Sequence, residues 1–112
     1  MVVKTKSSPF GGEGRSRVLL ALSLLSESYP RELARLLAMP FSSVQKALSS
    51  LEKDGLVAGR AVGRTRVFQL DPRYFARDEL QRLLLRLAEP ELELKARLAT
   101  LRRRPRRTAK PL

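Results

Sequence analysis

Cysteine and histidine are both absent from this 112-residue sequence, and only 5% of the residues are aromatic. The two absences exclude disulfides, thiol catalysis, histidine general-base chemistry and the usual kinds of zinc site. The sequence also has no glycine-rich phosphate loop and no nucleophile-elbow motif. Glu89, Glu91 and Glu93 cluster near a proline, but a solvated helical turn explains them better than acid–base or metal chemistry. We therefore expect no enzyme activity, no metal and no other cofactor.

Long hydrophobic runs are absent too. No apolar run approaches the roughly 20 residues that span a bilayer, and residues 1–10 lack the apolar core of a signal peptide. We expect a cytoplasmic protein, associated with the nucleoid if it is bacterial. The length suits one domain with tails and leaves no room for a second sensing domain of ordinary size.

Positive charge is what the sequence has in excess. Its 23 Lys and Arg residues outnumber 11 Asp and Glu residues, which gives a formal net charge of +12. The charge is concentrated, because residues 55–75 hold four arginines and one aspartate, and residues 101–112 hold six basic residues and no acidic one. Clustered Lys and Arg indicate contact with nucleic-acid phosphates. The alternative is that the charge serves only solubility.

Hydrophobic spacing and helix-breaking residues predict the order of the elements. Pro30 suits the first position of a helix, and Pro40 ends the turn that follows this helix. Gly55 suits the position after the third helix, where a left-handed backbone conformation is preferred. A proline at position 90 divides the leucine-rich C-terminal region, either as a kink or as a break between two helices. The predicted elements are helices over residues 16–26, 30–37 and 41–54, strands over 56–61 and 65–70, and a helical region after residue 75.

This order predicts a mainly α fold with a small β-hairpin (α+β), a winged helix-turn-helix with a C-terminal helical extension. The predicted organisation is a flexible basic arm over residues 1–14, the winged-helix domain over 15–75, a helical dimerisation region over 76–101 and a disordered basic tail over 102–112. Two leucine stripes favour self-association, although both could instead pack on their own domain. The predicted dimer contacts are Leu80, Leu83, Leu84, Leu87, Leu94 and Leu98.

A helix-turn-helix places the polar face of its second helix in the major groove of DNA. Gln45 can pair with adenine, Lys46 can reach guanine or a phosphate, and serine hydroxyls can donate to either. In the hairpin, Arg64 at the tip is suited to the minor groove or a phosphate. The alternatives are an ordinary solvated helix face and charged protection of an edge strand. The predicted contacts to double-stranded DNA are Ser42, Ser43, Gln45, Lys46, Ser49, Arg60, Arg64, Thr65 and Arg66.

Residues 31–70 resemble winged-helix transcription regulators, most closely the ArsR-like and MarR-like type. The resemblance is carried by Glu32-Leu33-Ala34, by the segments over residues 42–48 and 51–57, and by Gly63-Arg64-Thr65-Arg66-Val67-Phe68. It implies a homodimer that binds a palindromic operator, with residues 42–49 facing the groove and Arg64 at the wing. The chain departs from metal-sensing members because it has no Cys or His. It also departs from many relatives at Pro40-Phe41, where they carry polar residues; the alternatives for Phe41 are contact with a thymine methyl or a packing role.

Three functions remain open at this point. The first is a homodimeric, sequence-specific repressor that acts by occupying its site. The second is an architectural, partition, phage or plasmid DNA-binding protein of low specificity, which would tolerate many sites. The third is a winged-helix protein-interaction module, which would bind DNA weakly and with little dependence on salt.

Overall fold

The order of helices and strands agrees with the predicted winged helix-turn-helix. The computed structural model describes residues 10–103, without the side chains of residues 92, 93 and 101–103, so most of the predicted arm and tail lies outside the described residues. The elements are α1 (Glu13–Leu25), β1 (Glu27–Ser28), α2 (Pro30–Leu37), α3 (Phe41–Lys53), β2 (Val57–Val62), β3 (Thr65–Leu70), α4 (Arg77–Ala88) and α5 (Leu92–Arg103).

Helix α1 begins three residues before its predicted start and forms the centre of the core. Residues 18–22 are buried as an unbroken apolar run, as expected of a helix surrounded by other elements. At its N-terminal end, half-buried Phe10 packs against the core, and Arg15 donates to the Phe10 carbonyl. Arg15 also forms an ion pair with Asp54, with 2.8 Å between Nη1 and Oδ2. These contacts join residues 10–15, which include the last five residues of the predicted arm, to the end of α3.

The turn between α2 and α3 is held from several sides. Ala38 adopts a left-handed conformation with φ of 55°, which is costly for a residue other than glycine. Arg17 of α1 donates to the Leu37 carbonyl, and Arg97 of α5 donates to the Leu36 carbonyl over 3.1 Å. The two arginines satisfy carbonyl groups that the end of a helix leaves without partners. The turn is therefore fixed by α1 and α5, which fixes the direction in which α3 leaves it.

The sheet has one strand more than predicted. β3 lies between β1 and β2, and both pairings are antiparallel. Residues 27 and 28 pair with Gln69 and Phe68. The sequence predicts only a connecting segment here, between the helices over residues 16–26 and 30–37. A two-residue strand is too short to show the alternation that identifies strands in a sequence. It forms because β3 offers it an edge.

The C-terminal region is two helices, so Pro90 marks a break rather than a kink. Four of the six leucines predicted as dimer contacts are buried in the chain's own core, namely Leu80, Leu84, Leu94 and Leu98. Leu87 is partly buried against that core, and Leu83 is 46% exposed. The buried four pack as the alternative interpretation expects and offer no surface to a second copy. Leu83 remains available for a contact with a second copy.

Candidate nucleic-acid interface

Helix α3 has one buried face and one polar, exposed face. Its buried residues are Val44, Ala47, Leu48 and Leu51. On the opposite face Ser42, Gln45, Lys46 and Ser49 are exposed, as predicted, and Ser43 is half-buried. Within residues 10–103, the side chains of these five residues have no hydrogen-bond or ion-pair partner. The polar face is therefore free to bind another molecule.

Two surface depressions border this face, and Gln45 and Ser49 line both of them. These two residues therefore form the crest of the face, the ridge between the two depressions. The shallower depression has a volume of about 440 Å³ and is lined by the polar residues of α3 alone. The larger is a groove of about 740 Å³ between α3, the start of α2 and the β2–β3 hairpin. We call it the helix–wing groove. Its lining residues are Tyr29, Pro30, Arg31, Phe41, Gln45, Leu48, Ser49, Ala61, Gly63, Arg64, Thr65, Arg66 and Phe68.

The hairpin turn places Arg64 at the tip of the wing. Val62 pairs with Thr65 across the two strands, so Gly63 and Arg64 form a two-residue turn. Gly63 has a φ of 62°, a conformation that glycine adopts without steric cost. Arg64 and Thr65 are exposed and line the helix–wing groove, as does Arg66. The predicted wing residues other than Arg60 are therefore brought together with Gln45 and Ser49.

The three wing arginines differ in a way that the sequence does not show. Arg60 of β2 forms an ion pair over 3.0 Å with Glu27 of β1, across β3, which lies between those two strands. Arg64 makes no hydrogen bond or ion pair with any residue in the described part of the chain. Its guanidinium is therefore the one of the three that is ready to bind an anion without first breaking a contact.

Arg66 connects the wing to α3. Its Nη2 lies 2.8 Å from Glu52 Oε2, and its guanidinium lies 4.9 Å from the centre of the Phe68 ring. The hydrogen bond to Glu52 raises the pKa of Arg66 above its ordinary value. Because Glu52 is on α3 and Arg66 on β3, this ion pair links the two elements of the site.

Arg31 and Phe41 also line the groove and are outside the predicted set of DNA contacts, although the sequence already offers Phe41 a thymine methyl or a packing role. The guanidinium of Arg31 in α2 lies over the Phe41 ring, 4.8 Å from its centre. Phe41 is 38% exposed at the first position of α3. The sequence does contain a signal for Phe41, because residues 41, 45 and 49 are spaced by four and share a helix face. The stacking of Arg31 depends on how α2 and α3 pack, and no local pattern reveals it.

Among the described residues there is no group of three or more His, Cys, Asp or Glu side chains placed to hold a metal ion. The same part of the chain contains no helix that is long and apolar enough to cross a membrane.

Solved structures of transcription regulators share this fold. The adhesin competence repressor of Streptococcus pyogenes matches with a TM-score of 0.61 and 20% identity, over 88% of this chain and 72% of that one. A MarR-family regulator from Silicibacter pomeroyi matches with a TM-score of 0.60 and 24% identity, over 90% and 75% of the two chains. A probable transcriptional regulator from Pseudomonas aeruginosa matches with a TM-score of 0.56 and 21% identity, over 88% and 85%.

These matches confirm the predicted winged helix-turn-helix fold and its resemblance to MarR-like regulators. ArsR-like regulators, also named in the prediction, are a different but compatible branch of the same fold. No protein-family model matches the sequence, and no curated protein matches it either.

Proposed function

We propose that this protein is a homodimeric, sequence-specific regulator of transcription that binds double-stranded DNA and represses by occupying its site. Helix α3 enters the major groove, and the β2–β3 wing reaches the adjacent minor groove. The observation that carries the proposal is the unpartnered polar face of α3 beside the unpaired Arg64. A polar face without internal partners, next to a free cation, suits base edges and phosphates better than a protein core.

The helix–wing groove supports this arrangement. In duplex DNA a sugar–phosphate backbone separates the major groove from the minor groove, so a protein that reaches both must accommodate that backbone between its helix and its wing. The groove lies between those two elements, and the guanidinium groups of Arg31, Arg64 and Arg66 line it. Arginine is well suited to bind phosphate oxygens with paired N–H donors.

The residues of α3 then have separate roles. Gln45 stands on the crest of the exposed face and can hydrogen-bond to both N6 and N7 of adenine. Lys46 can reach guanine or a phosphate, and the serine hydroxyls can donate to either. The serines that take part are Ser42, Ser43 and Ser49.

Repression and dimerisation are the finer parts of the proposal. One matching structure is named as a repressor, and others as transcription regulators. Leu83 on α4 is 46% exposed, which gives a second copy an apolar contact. A two-fold dimer would present two α3 helices to half-sites about one helical turn apart.

The test is selection of binding sites from a randomised duplex pool, followed by sequencing, at two salt concentrations near physiological. An enriched palindrome is the expected result. Tight, salt-sensitive binding without enrichment would replace the repressor with an architectural protein of low specificity. The absence of salt-sensitive binding would leave the protein-interaction module.

The role of Gln45 can be tested on the selected site. Gln45→Ala should cost about 1–3 kcal/mol at one adenine position and flatten the preference there. Competition binding against duplexes with each base changed in turn measures this effect. Gln69→Ala is the matched control, because Gln69 is half-buried in β3 and does not line the groove. An unchanged base preference in the Gln45 variant would show that α3 enters the groove in another orientation.

A further inference from the structure

Phe41 is unusual among the large apolar side chains of this protein. Most of them are buried in one core, but Phe41 remains 38% exposed within the helix–wing groove. The Arg31 guanidinium covers the ring from one side, 4.8 Å from its centre. An arginine in this position is held by the ring without its N–H donors being used up. The pair therefore presents an apolar surface with donors beside it.

The position of Phe41 aligns it with the side chains proposed to read bases. Phe41 is the first residue of α3, and it lines the groove together with Gln45 and Ser49, one and two turns further on. In a helix-turn-helix, residues in the N-terminal part of the second helix contact base edges. A ring at this position would enter the major groove next to Gln45.

The chemistry of the ring limits what it can recognise there. A phenyl group cannot form hydrogen bonds with the donors and acceptors on base edges. A ring placed against those polar groups would leave them without hydrogen-bond partners. The apolar group that unmodified DNA displays in the major groove is the C5-methyl of thymine. Arg31, resting on the ring, keeps its donors for a neighbouring phosphate oxygen.

We propose that Phe41, held by Arg31, is a specificity-determining residue that recognises a thymine methyl group next to the base read by Gln45. The proposal rests on the DNA-binding function proposed above and deepens it. It predicts that the target site contains a thymine that contributes to binding affinity through its methyl group rather than through its hydrogen-bonding edge.

The experiment uses the full chain and the site obtained by selection, with each thymine replaced in turn by deoxyuridine. This change removes only the methyl group. We expect one thymine in each half-site at which the replacement weakens wild-type binding by about fourfold, the loss that corresponds to one buried methyl group. Phe41→Ala should bind the thymine and deoxyuridine duplexes equally at that position. Phe41→Leu, which keeps an apolar contact, should retain part of the difference.

Phe75→Ala is the matched control, since Phe75 is 92% exposed and lies outside the groove. This variant should keep the full thymine preference. Arg31→Ala should weaken binding to all sequences, because its proposed partner is a phosphate. It should also reduce the thymine preference, because the Phe41 ring loses the guanidinium that covers it.

The outcomes separate the two proposals. A selection that enriches no sequence would overturn both the specific function and this inference. An enriched site to which wild-type protein binds equally with or without every thymine methyl would overturn the inference alone, and so would a Phe41→Ala variant that keeps the wild-type ratio. The wild-type measurement needs no variant, so the inference is tested even if the Phe41 variants fold poorly.

Discussion

At the scale of single residues, the wing shows that arginines of equal charge differ in function because their partners differ. Arg60 and Arg66 each face a carboxylate, Glu27 and Glu52 respectively. An exposed ion pair of this kind contributes little to stability, about 0–1 kcal/mol. It nevertheless orients the guanidinium and offsets its charge. Arg64 has neither restraint, so it should contribute most of the electrostatic attraction of the wing to DNA.

Arg64→Ala should therefore weaken binding to every sequence and reduce the salt dependence. A phosphate contact that is lost lowers the slope of log K against log salt by about one. Titrations of wild type and variant on one duplex over a series of salt concentrations measure that slope. Arg82→Ala is the control, because Arg82 is exposed on α4, lies outside the helix–wing groove and carries the same charge.

The two variants lower the net charge equally, so their comparison separates a local contact from general attraction. Equal slopes for Arg64→Ala and Arg82→Ala would mean that the wing does not bind the DNA backbone. Our interpretation of the hairpin would then be wrong.

At the scale of elements, the close approach of β2 to β3 depends on Gly59. A Cβ atom placed on Gly59 would lie 2.6 Å from Arg66 Nη2 and 2.6 Å from Phe68 Cε2. Arg66 has a flexible end, but the Phe68 ring is only 5% exposed within the core. The absence of a side chain at Gly59 thus allows Phe68 and Arg66 to take the positions that set the wing against α3.

Gly59→Ala should lower the free energy of unfolding by about 1–3 kcal/mol, as overpacking does elsewhere. Gly14→Ala is a matched control, for which the expected change in the free energy of unfolding has the opposite sign. Gly14 lies in the first turn of α1, where a Cβ atom would be 3.7 Å from Met39 Cε. This variant should be stabilised by about 0.5–1 kcal/mol, because alanine favours helices more than glycine does. Urea unfolding at one protein concentration compares the two, and equal stability of both variants would contradict the packing argument.

Signals within one element allowed much of the fold to be predicted. The ends of α2 and the start of α3 follow from Pro30 and Pro40, and the limits of β3 agree with the prediction. Gly55 has the positive φ, 79°, that was expected after a helix. Each of these features depends on the conformational preference of one residue or on local periodicity.

Features that depend on distant residues were not predictable. The strand β1 exists only through its pairing with β3. The ion pairs of Arg60 and Arg66 join residues 33 and 14 positions apart, and the contact of Arg31 with Phe41 requires the packing of α2 on α3. The sequence therefore predicted which polar side chains of α3 and the wing are exposed, but not which arginines have partners.

At the scale of the whole molecule, most of the apolar surface of the C-terminal helices packs on the chain's own core, so little of it is left for an interface. Leu94 and Leu98 of α5 are buried in the same core as α1, and Arg97 of α5 caps α2. Removing α5 would therefore damage the helix-turn-helix as well as any dimer, and truncation cannot distinguish the two. Point changes on the exposed side of α4 can.

Leu83→Glu should weaken the proposed dimer while leaving the monomer folded. Leu83 is 46% exposed, so a carboxylate there can remain in water in the free chain but would be desolvated against an apolar partner surface. Sedimentation equilibrium over a range of concentrations should show a larger dissociation constant for Leu83→Glu than for wild type. Arg82→Glu, one residue earlier on the same helix, introduces the same side chain at an exposed polar position and should leave association much less affected.

Affinity for a palindromic site should fall for Leu83→Glu and much less for Arg82→Glu. The reason is that a dimer bound to two half-sites at once binds far more tightly than one copy bound to a single half-site. Leu83→Glu should therefore lose affinity for a palindrome and keep the weaker affinity for a single half-site. If wild type is a dimer and Leu83→Glu dimerises equally well, then the interface lies elsewhere on the molecule. If wild type is a monomer that binds single sites, then the specific regulator acts without two-fold symmetry and its operator need not be palindromic.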